Sequence, residues 1–189
     1  NKFIVILMAL FLSSCSIDVG YRIEDGKVVY ERPWNAARGF AINEVDADPE
    51  TFEVLGDNKT SWARDKYYVF KREHLLNSLN RDTFQVLNDD FGKDDETVAC
   101  GITPISNADI TTFKLKEFNE ISGKNVTLGV DKNAAYKCVD GTVTRIVSTS
   151  INHFRPIRDN YFKDKTTVWW VNRKLPNANP ATFRLLSYE

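Results

Sequence analysis

The chain has 189 residues, 42% of them hydrophobic and 27% charged, enough apolar material for one folded domain or a short repeat array. Its formal net charge is −1, so no basic excess points to a nucleic-acid partner.

Lys2 precedes an apolar run from Phe3 to Leu12. At about 1.5 Å per residue this run covers only about half of a ~30 Å bilayer core, so it reads as a signal-peptide core and not as a spanning helix. Leu12-Ser13-Ser14-Cys15 resembles the lipobox of bacterial lipoproteins. That resemblance implies cleavage before Cys15, lipidation of its thiol and acylation of the new amino terminus. The plainer alternative is a secretory signal with an incidental cysteine. Residues 1–14 are therefore expected to be removed, 15–24 to form the lipid anchor and a short linker, and 25–189 to fold as a single domain. Each buried CH₂ of an acyl chain contributes only ~0.8 kcal/mol, but several chains together hold a protein on a membrane. Ser16 after the lipid site, in place of Asp, favours the periplasmic face of an outer membrane.

Beyond the leader, two phrases alternate. Ala47-Asp48-Pro49-Glu50-Thr51-Phe52 recurs as Leu79-Asn80-Arg81-Asp82-Thr83-Phe84, Ala108-Asp109-Ile110-Thr111-Thr112-Phe113 and Ala178-Asn179-Pro180-Ala181-Thr182-Phe183, with a worn copy ending at Phe154. Between them falls Asp65-Lys66-Tyr67-Tyr68-Val69-Phe70, echoed from Asp94, from Asp131-Lys132-Asn133 and from Asp164-Lys165, with a leading half-copy at Asp25-Gly26-Lys27. In the first phrase Asp or Asn suits a helix N-cap, and Pro49 and Pro180 suit a first helical turn. Phe52 and Leu55, Phe84 and Leu87, and Phe183 and Leu186 are each three apart, so the phrase predicts a helix of about two turns. The second phrase leads into β-branched and aromatic residues, as a half-buried strand does. Val168-Trp169-Trp170-Val171 followed by Asn172-Arg173-Lys174-Leu175 predicts a hairpin. The expected fold is thus α+β and β-rich: repeated strand-turn-strand-short-helix units joining one twisted antiparallel sheet. The span around Gly123 to Gly141 is less regular and reads as an insertion.

With Cys15 taken by lipid, Cys100 and Cys138 remain. Cys100 is six residues after Asp94 and Cys138 seven after Asp131, nearly equivalent places in consecutive units. In an oxidising compartment this pair is a disulfide candidate. Two separate buried thiols are the alternative.

The alternating phrases resemble the DKNYY family of bacterial envelope proteins, from about Lys27 to Leu186. Asp65-Lys66-Tyr67-Tyr68, Asp131-Lys132-Asn133 and Ala108-Asp109…Thr112-Phe113 carry the likeness best. The resemblance implies an architecture and no catalytic residues.

Catalytic patterns do not surface. His74 and His153 lie in different repeats without a metal-ligand pattern, and read as surface or turn residues. No nucleophile elbow, P-loop or dinucleotide fingerprint occurs. No cofactor is expected. Asp89-Asp90 and Asp94-Asp95-Glu96 form an acidic cluster, read as a solvated loop, a weak Ca²⁺ site or a recognition patch. On a strand Trp169 and Trp170 point to opposite faces, so one belongs to the core and the other is a candidate contact. The candidate interaction residues are therefore Trp169, Trp170, Asp89, Asp90, Asp94 and Asp95. The expected function is a non-enzymatic envelope lipoprotein that binds a protein partner, in concrete form an immunity protein against a toxin acting in the periplasm. A peptidoglycan or glycan binder is the alternative, and a hydrolase with a concealed carboxylate site the third reading.

Overall fold

The computed structural model describes residues 20–35, 39–56, 60–120, 123–158 and 160–186. The leader, the lipidation candidate Cys15 and residues 16–19 of the linker lie outside them. Consecutive strands make five separate antiparallel sheets, here called layers. The first holds β1 (Gly20–Glu24), β2 (Lys27–Asn35) and β3 (Gly39–Val45). The second holds β4 (Glu53–Val54), β5 (Trp62–Arg64), β6 (Val69–Lys71) and β7 (His74–Leu76). The third holds β8 (Gln85–Val86), β9 (Phe91–Lys93), β10 (Val98–Cys100) and β11 (Thr103–Pro104). The fourth holds β12 (Lys114–Asn119), β13 (Asn125–Val130), β14 (Ala134–Val139) and β15 (Thr142–Val147). The fifth holds β16 (Arg155–Arg158), β17 (Tyr161–Lys163), β18 (Val168–Trp170) and β19 (Arg173–Lys174). The span read as an insertion is the fourth layer, whose strands are six residues long where the third layer has two or three.

This corrects the α+β expectation: the chain is almost entirely β, and its sheets are several. Among the described residues the one helical element is a 3₁₀ turn at Ile151–His153. The Asp/Asn phrases form single turns. In the third copy Phe113 N–H donates to the Asp109 carbonyl at 2.9 Å, while Asp109 Oδ1 accepts from the Thr112 N–H at 3.0 Å and its hydroxyl at 2.6 Å. These contacts also begin a helix, but β12 starts at the residue after Phe113, so only one turn is closed. Nucleating a turn costs more than it returns unless propagation succeeds it. The burial of the Phe ring offsets that cost here.

Successive layers stack face to face. Val28, Tyr30 and Val45 of the first layer meet Ala63 and Phe70 of the second. Trp62, Val69 and Leu76 of the second meet Ala99 of the third. Phe91, Val98 and Cys100 meet Ala134 and Tyr136 of the fourth. Leu128, Val130, Ala135 and Ile146 meet Phe162 and Trp169 of the fifth. In the second, third and fourth layers the period of two sends alternate side chains to the two neighbouring layers. Each core is therefore shared by one pair of layers, as in a solenoid.

The phrase Phe is the wedge between layers. Phe52 packs on Tyr21, Phe84 on Trp62 and Phe113 on Phe91, with ring centroids 5.1, 5.2 and 5.7 Å apart. On the other side of Phe84 and Phe113 stand Gly92 and Gly129. A Cβ at either glycine would lie 2.4 Å from the Phe ring. Gly129→Ala is thus expected to destabilise by about 1–3 kcal/mol through overpacking. Chemical denaturation measures it, and a midpoint equal to that of the parent would refute the wedge.

The repeated aspartates tie each hairpin to the phrase before it. Asp65, Asp94, Asp131 and Asp164 are all at most 5% exposed. The Oδ1 of each accepts the backbone N–H groups two and three residues on, as from Asn133 at 2.7 Å and Ala134 at 2.8 Å. The Oδ2 reaches back: to the N–H of Asp48 from Asp65, of Asn80 from Asp94, of Asp109 from Asp131, and to the Ser148 hydroxyl from Asp164. The adjacent Lys then pairs with the phrase Asp, Lys66 with Asp48 at 2.7 Å and Lys132 with Asp109 at 2.6 Å. In the third layer Asp95 replaces that Lys, and its partner is the neutral Asn80, whose Nδ2 donates to it at 3.2 Å. Charge and partner change together.

These bonds set an acid limit. Lys132 and Thr112 hold Asp109 down to about 2. Burial alone would raise Asp131, but the N–H groups of Asp109, Asn133 and Ala134 and the Tyr136 hydroxyl outweigh it, and its carboxyl sits below the ordinary value. Asp164 is lowered in the same way, by Ser148 and the N–H groups of Thr166 and Thr167 against its burial. A depressed folded value stabilises the fold above the unfolded value near 4 and loses that contribution as pH falls toward 2. Stability should therefore be level from neutral pH to about 5 and fall steeply below about 4. Circular dichroism melts across that range test it; a melting point unchanged at the acid end would contradict the carboxylate ties.

Candidate interaction surface

The six candidate residues meet different fates. Asp94 is one of the four buried ties, and Asp95 is its neighbour bonded to Thr83 and Asn80. Neither is a free recognition group. Trp169 is 2% exposed, in the core between the fourth and fifth layers. Trp170, on the opposite face of β18, is 44% exposed.

Asp89 and Asp90 sit at the rim of a hollow of about 220 Å³, lined by strand and turn residues from four layers, including Arg32, Arg72, Glu73, Ile102 and Asp140. Asp89 accepts from the Ser61 N–H at 2.7 Å and hydroxyl at 2.8 Å, and from Lys71 Nζ at 2.8 Å. Lys71 lies across the Trp62 ring at 4.5 Å. Burial pushes the Lys71 ammonium down against the pull of Asp89. Burial would raise Asp89, but Lys71 and Ser61 hold it below its ordinary value. Asp90 is shifted the other way, upward, by burial and by the charges of Asp89 and Asp140. Asp89 is thus spoken for, and Asp90 is the more open carboxyl.

Cys100 and Cys138 form a disulfide, with sulfurs 2.03 Å and Cα atoms 5.7 Å apart. Their one-residue offset within the repeat has a structural meaning. Position six after the repeated Asp faces the next layer, and position seven faces the previous one. Cys100 therefore points forward from the third layer and Cys138 points back from the fourth. Gly101 N–H donates to the Asp90 carbonyl at 2.8 Å, so the bridge and the hollow share a wall.

Sequence reasoning missed the hollow, because its lining comes from residues spread between Arg32 and Gly141. No residue type marked it: the left-handed position between the third and fourth strands is taken by Arg72, Gly101 and Val171, with φ of 55°, 54° and 58°, and only the glycine is a type that favours it. It also missed Arg173, which stands directly opposite Trp170 on β19. The hollow and Trp170 belong to different layers and are not brought together.

The architecture is that of a layered antiparallel β-repeat protein, with Asp ties and Phe wedges at each joint. The chain belongs to the DKNYY family, whose model matches residues 21–189. No curated protein and no solved structure matches it.

Proposed function

We propose that this chain is a non-enzymatic, lipid-anchored envelope protein that binds another protein, and that its concrete role is immunity against a toxin acting in the periplasm. Trp170 carries the reading: a large aromatic, 44% exposed, on a rigid sheet. Exposed Trp on a fixed scaffold is the residue type most often central to protein contacts. A stack of layers that hydrogen-bond within themselves also presents its surface preorganised, which limits the entropy lost on binding. Tyr161 lies opposite Trp170 across β17 and β18, and such an aromatic pair is also a platform for a sugar ring, which keeps peptidoglycan as a second reading.

The test is affinity capture with the chain from Ser16 onward, without the lipid site, against envelope and secreted fractions of the source cells. One stoichiometric protein is the expected result, and a toxin-like partner with nanomolar affinity by calorimetry is the immunity form. Retention on purified peptidoglycan with no protein partner would replace the proposal by the glycan reading.

A further inference from the structure

The two ends of the stack differ. The outer face of the first layer carries ion pairs, Arg22 with Glu24 and Glu31 and Lys27 with Glu44, beside the exposed Phe40 and Ile42. Among the described residues the outer face of the fifth layer has no such ion pairs. In four of the five layers one cross-strand row faces forward: Tyr21–Tyr30 in the first, Trp62–Lys71 in the second, Phe91–Cys100 in the third and Tyr161–Trp170–Arg173 in the fifth, while the fourth has the half-buried Lys137 at that place, donating to Asn160. Tyr30, Lys71 and Cys100 are 7%, 5% and 0% exposed beneath the next layer. Trp170 holds the same place and is 44% exposed. The wedge is built there too, with Phe183 on Tyr161 at 5.7 Å and the Asn179 turn closed at 2.8 Å. Nothing among the described residues lies on its other side.

Charge singles out the same end. Residues 155–186 hold seven Lys or Arg against two Asp, while the whole chain is at −1. The salt bridges between described residues draw their cations from Arg22 to Lys132, and in the fifth layer Arg158 is engaged, its guanidinium donating to the Leu186 carbonyl at 3.4 Å. Arg173 and Arg184 are exposed and pair with no carboxylate among the described residues, while Lys174, opposite Trp169, lies on the other face of β19.

We infer that the open face of the fifth layer is the partner-binding site, and that its occupant is an acidic protein that lays a β-strand or sheet over Tyr161, Trp170 and Phe183. This rests on the protein-binding reading and gives it a place and a chemistry. The internal joints show what covers such a row, namely another sheet. The unpaired cations around it favour a partner rimmed with Asp and Glu. The first layer has Arg22 where the second layer has Ala63 and the third Gly92, and that side chain does not fit over the Phe183 ring. A second copy stacking head to tail is thereby disfavoured.

The test uses the chain from Ser16 and a short synthetic peptide alternating Glu and Phe, monitored by amide chemical shifts. Expected are saturable shifts confined to residues 160–186, weakened about tenfold by Trp170→Ala and by Arg173→Glu, with no response to the matching Lys–Phe peptide. No saturable shift, shifts centred elsewhere, or an equal response to the Lys–Phe peptide overturns the inference. Phosphatidylglycerol vesicles are run beside it. Sedimentation with them through Trp170, without peptide binding, assigns the face to an anionic lipid surface and also overturns it. A captured protein that binds the Trp170→Ala and Arg173→Glu chains as well as the parent sinks this site and leaves the protein-binding reading standing.

Discussion

Asp131→Ala is expected to lower the unfolding free energy by about 3–5 kcal/mol, the cost of stranding buried groups that had a charged partner. The carboxylate is 3% exposed and takes the N–H groups of Asn133, Ala134 and Asp109 and the hydroxyl of Tyr136. Alanine leaves all of them without that acceptor and opens a space at a joint between the third and fourth layers. Asp131→Asn keeps the shape and the bonds to Oδ1 but presents an NH₂ to the Asp109 N–H, so about 1–3 kcal/mol is expected. The comparison separates the charge from the volume. Asp82→Ala is the control, because that side chain is 79% exposed and its pair with Arg81 should change stability by no more than about 0.5 kcal/mol. Urea titrations decide it, and an Asp131→Ala midpoint as high as that of the control would show that the tie is decorative.

Replacing Cys100 and Cys138 together by Ala is expected to cost about 4 kcal/mol, the chain-entropy value for a closed loop of this size. The cysteines are 38 apart in sequence and belong to adjacent layers, so the bridge restrains the unfolded chain across a whole joint. Cys100 is fully buried, so its replacement also loses packing against Phe91 and Tyr136 in the shared core. The parent should lose a comparable amount on addition of dithiothreitol and the double variant nothing. A parent whose denaturation midpoint ignores the reductant would rule out the bridge as a contributor.

How far the sequence speaks can be judged residue by residue. The repeated Asp was legible as a turn residue, because its recurrence at equal spacing fits local hydrogen bonding and not a single site. Applied consistently, the same recurrence marks Asp94 as a tie, yet its neighbours Asp89, Asp90 and Asp95 make it look like part of an acidic patch. Opposite facing of Trp169 and Trp170 came from strand geometry alone. The false helices came from a real ambiguity: an Asp side chain that accepts the N–H groups ahead of it begins a helix or closes one turn. The outcome depends on the next residues, and the one after the Phe of the first three phrases is already in a strand. The division into five sheets was hidden for another reason. Alternation tells that a strand has two faces, and does not tell that both are covered, by different neighbours. The row of the fifth layer was readable only in pieces, since Arg173 joins Trp170 through pairing and not through spacing.

The later layers each take their first strand from the residues directly after the preceding wedge. Phe52, Phe84, Phe113 and Phe154 lead at once into β4, β8, β12 and β16. A whole unit, from one such strand to the next Phe, therefore enters and leaves the chain with its own hydrogen bonds and half of each joint. Copying the unit from Gln85 to Phe113 in tandem would lengthen the stack by one storey and leave both ends as they are. Length is then a quantity this architecture can vary by recombination, while the surfaces at its two ends vary by substitution.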